Sequence, residues 1–381
     1  MNNFRGMSRK RKILIVFGTR PEAIKMAPLV KAFKDELVSF ETAVCVTAQH
    51  REMLDQVLDF FEIQPDYDLN IMKAGQNLNS LTTDIIAGMK PVLETFNPDY
   101  VFVHGDTTTT MAASIAAFYN QSKVCHIEAG LRTNNKWSPF PEEINRQVTG
   151  RIADLHFAPT ITSKNNLLNE NIDIEKILVT GNTVIDALIK SVEKVNINPS
   201  DLVKTLDSKI NNKEVLLVTG HRRENHGEGF VQICQALKEI ATLRPDCVII
   251  YPVHLNPKVQ EPVKRILADV KNIMLIDPLA YQDFIWLMDK AKLIITDSGG
   301  VQEEAPSLGK PVLVMRNTTE RPEAVEAGTV ILVGTDKELI VSETLDLLDN
   351  SERFAKMSKL HNPYGDGNAC DRIVDFIKSI Q

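Results

Sequence analysis

The chain contains 381 residues, enough for two domains, since single domains usually contain about 100–200 residues. Its composition, with 43% hydrophobic and 24% charged residues, is ordinary for a globular protein, and its net charge of −7 argues against nucleic acid as a partner. The five cysteines are scattered and include no CxxC pair, which argues against a disulfide framework and a structural zinc site.

The apolar run that follows the basic N-terminus covers only residues 13–17, which is too short for a signal peptide or a membrane span. We therefore expect a cytoplasmic protein without a membrane partner, since unpaired cysteines favour a reducing compartment. Residues 1–11 are expected to form a flexible tail.

Short apolar runs alternate along the chain with segments of helical spacing. The runs are apolar on both faces, as are strands buried in a parallel sheet. The predicted strands are 12–17, 43–47, 100–104, 123–127, 177–180, 214–219, 247–251, 272–276, 292–296, 311–315 and 330–333, and predicted helices include 22–37, 78–96, 108–119 and 229–243. This alternation predicts an α/β chain of the doubly wound type.

The series of strands restarts in the second half of the chain. KILIVFGTR near the N-terminus and EVLLVTGHR near residue 214 each place Gly, a small or polar residue and Arg after a strand. We therefore predict two Rossmann-like domains, 12–182 and 214–362. A hinge and linker should occupy 183–213, and a C-terminal helix within 363–381 should pack back on the N-terminal domain.

Ligands of open α/β sheets bind beyond the carboxyl ends of the strands, so the residues after each strand are the candidate site. The first strand is followed by GTRPEAIKMAP, in which Pro21 suits the first turn of a helix. Arg20 and Lys25 could bracket an anion there; solvated cations at a helix start are an equal alternative. The pattern is not GxGxxG, so no dinucleotide cofactor is expected.

Acidic residues follow two further predicted strands of the first half. Asp106 lies in HGDTTTT, where its alternative role is to cap the next helix, and Glu128 directly follows strand 123–127. Glu142 and Arg146 follow loop 131–141 and share one face of a predicted helix. A surface ion pair is the alternative for these two residues.

In the second half, GHRRENHGEG places His221 and Arg222 beside a glycine-rich, basic loop, which favours a polar cleft over a core position. DSGGVQEE predicts a helix start that could bind phosphate, one turn before Glu304. The Glu304 carboxylate could reach ribose hydroxyls, or it could instead interact with the helix dipole. The backbone N–H groups of that helix start belong to Ser298, Gly299 and Gly300.

Several long strings of the chain resemble one enzyme family. FGTRPEAIKMAPLV, TAQHREMLDQVL, VHGDTTTT, EAGLRT, SPFPEEINR, GNTVIDAL, HRREN and TDSGGVQEEAPSLGKPVLVMRNTTERPEA are similar to the non-hydrolysing UDP-N-acetylglucosamine 2-epimerases, and the similarity extends from about Lys12 to Lys378. The resemblance implies a glycosyltransferase-B type fold, with two domains facing each other across a cleft that holds the substrate. It also implies a homodimer that interconverts UDP-N-acetylglucosamine and UDP-N-acetylmannosamine for cell-surface polysaccharide precursors, without a cofactor or a metal.

The C2 hydrogen of this sugar is not acidic until the C1–O bond to UDP breaks. The resemblance implies elimination of UDP to a glycal and re-addition on the other face, with the acid/base carboxylates at Asp106, Glu128 and Glu142 and with Arg146 orienting Glu142 or a substrate oxygen. Arg20, Lys25, His221 and the Ser298–Gly300 helix start would stabilise the leaving diphosphate.

The resemblance further places the uracil near Arg222 and Phe284, and the ribose near Glu304. Some members bind a second UDP-N-acetylglucosamine as an activator, near positions that match Gln49, His50 and His254. Glu52 and Gly75 differ from the Gln and Arg expected in the activated members.

Four alternatives remain open at this stage: a glycosyltransferase of the same fold, a hydrolysing epimerase, an epimerase of a modified UDP-sugar, and a non-catalytic sugar-nucleotide sensor. Loop 131–141 is the segment expected to select among modified substrates.

Overall fold

The computed structural model describes residues 9–48, 51–73 and 75–380. The chain divides into two compact units, Met1–Ala187 together with Tyr364–Gln381, and Leu188–Pro363. The strands of the first unit are β1 Arg11–Phe17, β2 Phe40–Val46, β3 Tyr67–Asp68, β4 Tyr100–His104, β5 Lys123–Ile127, β6 Leu155–Ala158 and β7 Ile177–Val179. Those of the second unit are β8 Glu214–Thr219, β9 Cys247–Pro252, β10 Ile273–Ile276, β11 Leu293–Thr296, β12 Val312–Val314 and β13 Val330–Leu332.

Helices connect these strands. The first unit contains α1 Arg20–Asp35, α2 Arg51–Phe61, α3 Leu78–Phe96, α4 Thr108–Tyr119, α5 Glu142–Ile152, α6 Ile161–Asn169, the start of α7 Thr183–Ile197, and α16 Ala369–Ser379. The second unit contains the end of α7 and α8 Asp201–Ile210, α9 Glu228–Leu243, α10 Pro257–Leu267, α11 Tyr281–Lys290, α12 Gly299–Glu304, α13 Pro322–Glu326, α14 Lys337–Asp349 and α15 Ser351–Ser358. None of the helices within the described ranges is long and apolar enough to cross a membrane.

Each unit contains one parallel sheet with a change of winding direction. The first sheet has the strand order β3-β2-β1-β4-β5-β6-β7, and the second has the order β10-β9-β8-β11-β12-β13. Winding reverses between β1 and β4 in the first sheet and between β8 and β11 in the second. Such reversals open a crevice at the carboxyl ends of the strands, so each unit has one crevice suited to a ligand.

Both faces of the first sheet are covered, as the unbroken apolar runs predicted. Along β1, Ile13, Ile15 and Phe17 enter one core cluster, whereas Leu14 and Val16 enter the cluster on the opposite face. Alternate residues of a strand point to opposite faces, so an apolar run of this kind requires helices on both sides. The predicted α/β fold with two Rossmann-like halves is confirmed.

The C-terminal helix α16 belongs to the first unit. Its Ile373 and Ile377 side chains are fully buried in the same core cluster as β1. At its start, the Asp186 carboxylate accepts hydrogen bonds from the backbone N–H groups of Ala369 (3.2 Å) and Cys370 (2.8 Å). A side chain of α7 therefore satisfies two of the N–H groups that a helix leaves unpaired at its N-terminus.

The structure differs from the sequence prediction in several places. Segment 183–213, predicted as a hinge and linker, contains helices α7 and α8. Arg11, assigned to the flexible tail, is the first residue of β1, because it pairs with Phe40 and its guanidinium donates to the carbonyls of Ile377 and Ile380. Strands β3 and β6 were not predicted. The sequence of β6, LHFA, is short and contains no β-branched residue, so it lacks the usual pattern of a strand.

Candidate functional site

In the first unit, Glu128 occupies the position directly after β5 with a backbone φ of 60°, a left-handed conformation that is uncommon outside glycine. Its Oε1 atom lies 2.6 Å from Nζ of Lys25 and 2.7 Å from Nδ2 of Asn182. Its Oε2 atom lies 3.4 Å from Nε2 of His104. Burial lowers the pKa of His104 to about 4, so this imidazole is neutral at pH 7, and Lys25 supplies the positive charge in this group.

Asp106 follows β4, the strand beside β5. Oδ2 of Asp106 lies 2.5 Å from Nη2 of Arg146, and its backbone carbonyl accepts a hydrogen bond of 2.9 Å from Nδ2 of Asn145. Burial raises the pKa of Asp106, Arg146 opposes that rise, and the negative charge of Glu128 adds to it. Asp106 does not cap the next helix, because the side chain at the N-cap of α4 is that of Thr107.

No contact between Arg146 and Glu142 is found among the described residues, so the ion pair given as the alternative for these two residues is not observed. Arg146 contacts Asp106, and its Nη1 atom lies 3.6 Å from Oε2 of Glu143. Oε2 of Glu142 is buried without a hydrogen-bond partner among the described residues. Spacing along α5 puts Glu142 and Arg146 on one face, but Asp106 reaches Arg146 from another strand, a tertiary contact that helical spacing cannot reveal.

Two buried carboxylates of the first unit, those of Glu143 and Glu22, were not predicted as site residues. Glu143 accepts hydrogen bonds from the backbone N–H groups of Thr133 (3.0 Å) and Asn134 (3.1 Å), and it thereby fixes the start of loop 131–141. In that loop, the exposed rings of Trp137 and Phe140 stack at 5.6 Å.

The second of these carboxylates, Glu22, joins the loop after β1 to the loop after β4. Its Oε2 atom accepts hydrogen bonds from the backbone N–H groups of Gly18 (3.1 Å) and Thr19 (2.8 Å). Its Oε1 atom accepts from the hydroxyls of Thr107 (2.7 Å) and Thr110 (3.2 Å). The threonines of HGDTTTT are therefore held inside the unit, and the loop offers Asp106 as its candidate reactive group.

Glycine is required at the end of β1 because two threonine side chains approach it closely. A Cβ atom at Gly18 would collide with Oγ1 of Thr47 and Oγ1 of Thr109. Arg20, half-buried, is the first residue of α1, and Lys25 lies on the same helix. Both cations therefore lie on α1, and Lys25 is paired with Glu128.

In the second unit, most of the predicted nucleotide residues line one cavity of about 260 Å³ at the carboxyl ends of β8, β9 and β11. Within it, the rings of His221 and His254 stack at 5.5 Å. Of the residues predicted for nucleotide or regulatory binding, the cavity is lined by His221, His254, Phe284, Ser298, Gly300 and Glu304. His254, predicted for the regulatory site, therefore shares a pocket with the nucleotide residues; Gln49 and His50 lie outside the described residues.

The remaining second-unit residues are close to the start of α12. A Cβ atom at Gly299 would lie 3.9 Å from Nη2 of Arg222, so that guanidinium faces the helix start. A Cβ atom at Gly300 would lie 3.3 Å from Oε1 of Glu304, which shows that the glutamate side chain extends back along the first turn. The start of α12 therefore brings together backbone N–H groups, a cation and a carboxylate. The N–H groups and the cation suit a phosphate, and the carboxylate suits ribose hydroxyls.

Asp297 holds the loop that carries His221 and Arg222, and it was not predicted as a site residue. Its fully buried carboxylate accepts hydrogen bonds of 2.8 Å from the backbone N–H groups of both His221 and Arg222. Its Oδ1 atom lies 3.4 Å from Nδ1 of His221. Burial lowers the pKa of His221, Asp297 opposes that effect, and His254 and Arg222 add to it. The position directly after a buried strand was the available signal for Asp297.

One group of potential metal ligands occurs within the described ranges, formed by Glu214, Asp246 and Cys247. Lys292 forms an ion pair with Glu214, and Nη2 of Arg244 lies 2.7 Å from Oδ2 of Asp246. Burial raises the pKa of Cys247 to about 11, so its thiol stays protonated. Cations already neutralise this group, and it does not resemble a metal centre.

Comparison with known proteins identifies the family of this chain. The family model of UDP-N-acetylglucosamine 2-epimerase matches residues 32–378. The UDP-N-acetylglucosamine 2-epimerase of Escherichia coli K12 is 60% identical over 372 residues, which cover 97% of this chain and 98% of that relative.

Solved structures give the same result. The Neisseria meningitidis UDP-GlcNAc 2-epimerase bound to UDP-GlcNAc has a TM-score of 0.85 and 53% identity, covering 97% of this chain and 100% of that chain. The Methanocaldococcus jannaschii UDP-GlcNAc 2-epimerase has a TM-score of 0.84 and 34% identity, covering 96% and 99%. The family predicted from the motifs is confirmed: this chain belongs to the UDP-N-acetylglucosamine 2-epimerase family.

Proposed function

We propose that this chain interconverts UDP-N-acetylglucosamine and UDP-N-acetylmannosamine by eliminating UDP and adding it back. The contrast between two neighbouring carboxyl groups carries the proposal. Glu128 is paired with Lys25 and Asn182, contacts that favour an ionised carboxylate, whereas burial raises the pKa of Asp106. One carboxyl group whose contacts favour the ionised form, and one whose pKa is raised although Arg146 opposes the rise, suit a proton-removing base and a proton-donating acid.

The reaction needs no external oxidant or reductant. The C1–O bond breaks, and its electron pair leaves with the diphosphate of UDP. The base removes the C2 proton, and the C–H electron pair becomes the C1–C2 double bond of a 2-acetamidoglucal. Protonation of C2 from the opposite face and re-addition of UDP at C1 then give the epimer.

The first unit carries the proton transfers in this proposal. Glu128 acts as the base at C2 and Asp106 as the acid on the opposite face, with the roles exchanged in the reverse direction. Arg146 holds Asp106, since their atoms are 2.5 Å apart. Glu142, whose negative charge also raises the pKa of Asp106, assists on the same side.

The second unit carries the nucleotide in this proposal. Glu304 holds the ribose hydroxyls, and Arg222 and Phe284 contact the uracil. Diphosphate binding falls to His221, Ser298, Gly299 and Gly300, whose N–H groups and imidazole can stabilise the charge that develops as the C1–O bond breaks. By the resemblance, Arg20 is also a substrate-binding residue.

Proton NMR in D₂O tests the activity directly. The purified chain is incubated with UDP-N-acetylglucosamine and no acceptor. We expect deuterium at C2 of intact UDP-sugars of both configurations, because the proton removed at C2 exchanges with solvent. Free N-acetylmannosamine with UDP would indicate a hydrolysing epimerase. An unchanged substrate would overturn the proposal and leave a glycosyltransferase or a sensor.

Variants then test the residue roles. Asp106→Asn, Glu128→Gln and Glu142→Gln should each reduce turnover ~10²–10⁴-fold, the usual contribution of a proton-transfer group. Each should bind UDP as tightly as the parent protein, since the nucleotide residues belong to the second unit. Near-normal turnover in two of the three would refute the assignment.

The resemblance also supports a homodimer in the cytoplasm, and it leaves open a modified UDP-sugar as substrate. Analytical ultracentrifugation should give twice the mass of one chain. Loop 131–141 should select the sugar, because it precedes Glu142 and exposes Trp137 and Phe140. A panel of UDP-sugars altered at C3 or C6, tested with and without Trp137→Ala, measures that selection.

A further inference from the structure

Both the backbone conformation and the buried charge of Glu128 depend on contacts with neighbouring residues. Its backbone adopts a left-handed conformation, with φ at 60°, which is strained in a non-glycine residue. Its side chain is only 7% exposed, so its charge depends on protein partners more than on water. The direction of this carboxylate is therefore set by the groups that contact it.

Groups from several elements face the Glu128 carboxylate. Lys25 of α1 and Asn182, at the start of α7, both donate to Oε1, at 2.6 Å and 2.7 Å. His104 of β4 lies 3.4 Å from Oε2 and is neutral at pH 7, and Asp106 interacts with Glu128 as a like charge. Lys25 has a long flexible side chain, so it supplies charge, whereas the planar carboxamide of Asn182 supplies direction.

Asn182 is itself held firmly. It is 3% exposed, its Oδ1 atom accepts a 3.1 Å hydrogen bond from the N–H of Val184, and its own N–H donates to the carbonyl of Tyr364 at 2.6 Å. The preceding residue, Gly181, packs against Gly365 so closely that a Cβ atom there would lie 3.1 Å from the Gly365 Cα. The carboxamide thus has little freedom to turn.

We propose that Asn182 is a positioning residue that fixes the Glu128 carboxylate in the orientation needed to remove the C2 proton. This inference rests on the proposed function, in which Glu128 is the base. Asn182 does not touch the substrate in this account; it acts through Oε1 of Glu128. The same side chain caps the N-terminus of α7, so its structural contribution must be separated from its effect on Glu128.

Asn182→Ser separates the two contributions. Serine is as good an N-cap as asparagine, so α7 should remain capped. The shorter hydroxyl cannot reach Oε1 of Glu128, so the donor is lost. Since a hydrogen bond to a charged group contributes about 1.5–3 kcal/mol, we expect kcat to fall about 10- to 100-fold with little change in KM. The acidic limb of the pH profile should move to higher pH, because a bond that favours the ionised carboxylate is gone.

Asn182→Asp provides a second test, in which the pH dependence of turnover is measured. Aspartate keeps the cap acceptor and the shape, but it places an oxygen where the NH₂ group faced Glu128. When ionised it repels Glu128, and when protonated it can donate a hydrogen bond again. The turnover of this variant relative to the parent protein should therefore be lowest at alkaline pH and should rise on acidification. Loss of a structural cap would not produce this pH-dependent recovery.

The matched control is Asn350→Ser. Asn350 caps α15 in the second unit by accepting a 3.0 Å hydrogen bond from the N–H of Arg353. The same substitution there removes the same carboxamide from a helix cap without a contact to Glu128. This variant should keep the kcat, KM and pH profile of the parent protein.

The measurements are steady-state epimerisation from pH 5.5 to 9, C2 exchange in D₂O, UDP affinity by calorimetry, and thermal unfolding. Reduced kcat and slowed C2 exchange in Asn182→Ser, with unchanged UDP affinity and unfolding temperature, support the inference. Turnover within threefold of the parent protein at every pH, or a loss that follows falling stability, overturns it. Failure of the parent protein to exchange C2 hydrogen would instead overturn the proposed function.

Discussion

Nη2 of Arg146 lies 2.5 Å from Oδ2 of Asp106, although 40 residues separate them in the chain. The side chain of Arg146 is 10% exposed and that of Asp106 is 29% exposed, so the pair is partly desolvated. Burial raises the pKa of Asp106, and Arg146 is the main influence that restrains this rise. The arginine therefore controls the pH range in which Asp106 can exchange a proton.

Arg146→Gln should raise the pKa of Asp106 further, because the cation that favours the ionised form is removed. We expect kcat to fall roughly 10- to 100-fold, since a proton-transfer group that is mistuned loses part of its usual contribution. The limb of the kcat/KM profile that disappears in Asp106→Asn should move to higher pH in Arg146→Gln. Arg146→Lys should fall between the two, because lysine keeps the charge without the planar fork.

The control for this prediction is Arg353→Gln. Arg353 also contacts two carboxylates, those of Glu343 and Asp346, but it belongs to α15 of the second unit. Its loss should leave the pH profile unchanged. An unshifted limb in Arg146→Gln would contradict the claim that this arginine sets the titration of Asp106.

The contact between Arg146 and Asp106 could not be predicted from the sequence. Strand ends could be located because parallel strands are unbroken apolar runs, and the residues after β1, β4, β5, β8 and β11 were therefore identified as candidates. Which of those residues touch depends on sheet order and side-chain direction. The i, i+4 spacing placed Glu142 and Arg146 on one helix face, but it could not reveal that the β4–α4 loop brings Asp106 to Arg146.

The supporting residues were harder still to predict. Asn182 contacts Glu128 across 54 residues, and its local sequence, GNTV, indicates only a helix start. The spacing of Thr19 and Glu22 predicts only a capping box, and no local sequence signal indicates the contact of Glu22 with Thr107. Long-range hydrogen bonds leave no periodic signal in the sequence, so positioning residues appear only in the structure.

Glu22 should tolerate glutamine but not alanine. Glu22→Ala leaves the N–H groups of Gly18 and Thr19 without their acceptor, and each buried unpaired group costs about 1–3 kcal/mol. Glu22→Gln keeps an acceptor for both, and its NH₂ group can donate to the hydroxyls of Thr107 and Thr110. Because burial already raises the pKa of Glu22, a neutral side chain suits this site.

Urea unfolding and turnover measure this difference. We expect Glu22→Ala to lose ~2–5 kcal/mol of the free energy of unfolding and most of its activity, because the loop before Arg20 and the loop that carries Asp106 are no longer joined. Glu22→Gln should lose less than about 1 kcal/mol and keep most of its turnover. Equal losses in the two variants would show that the negative charge, and not the hydrogen-bond geometry, is what matters at this position.

Asp297→Asn should lower the pKa of His221 below its already depressed position. Burial lowers that pKa, and Asp297 is the group that opposes the effect, so removal of its charge leaves burial unopposed. Asparagine still offers an oxygen to the N–H groups of His221 and Arg222, so the loop should keep its shape. UDP affinity should weaken, because less of the imidazole can become cationic beside a diphosphate.

NMR titration of the His221 ring protons checks this prediction, with His221→Gln to assign them. Asp283→Asn is the control, since Asp283 is also buried in the second unit but accepts its hydrogen bond from Ser200 at 2.7 Å. The control should leave the titration midpoint of His221 in place. A midpoint that stays the same or rises in Asp297→Asn would contradict the assigned electrostatic role.

The first unit should lose stability on mild acidification because it buries three histidines in neutral form. Burial is the main cause in each case, and it lowers the pKa to about 4 for His104, about 3 for His126 and about 4 for His156. An unfolded histidine titrates near pH 6.5. Below that pH the unfolded chain takes up protons that the folded chain cannot, so the loss begins near pH 6.5 and continues down to the folded pKa values.

At pH 5, each histidine should contribute a loss of ~2 kcal/mol relative to pH 7, since the unfolded pKa lies about 1.5 units above that pH. Glu22 works in the opposite direction, because an acid whose pKa is raised by folding stabilises the folded chain as it takes up a proton. Urea unfolding at pH 7 and pH 5 should therefore show a clearly lower midpoint at pH 5. His156→Leu removes one titrating group and should reduce the slope of stability with pH, whatever its absolute stability. A midpoint that does not change between the two pH values would mean that the histidines are not held neutral in the folded chain.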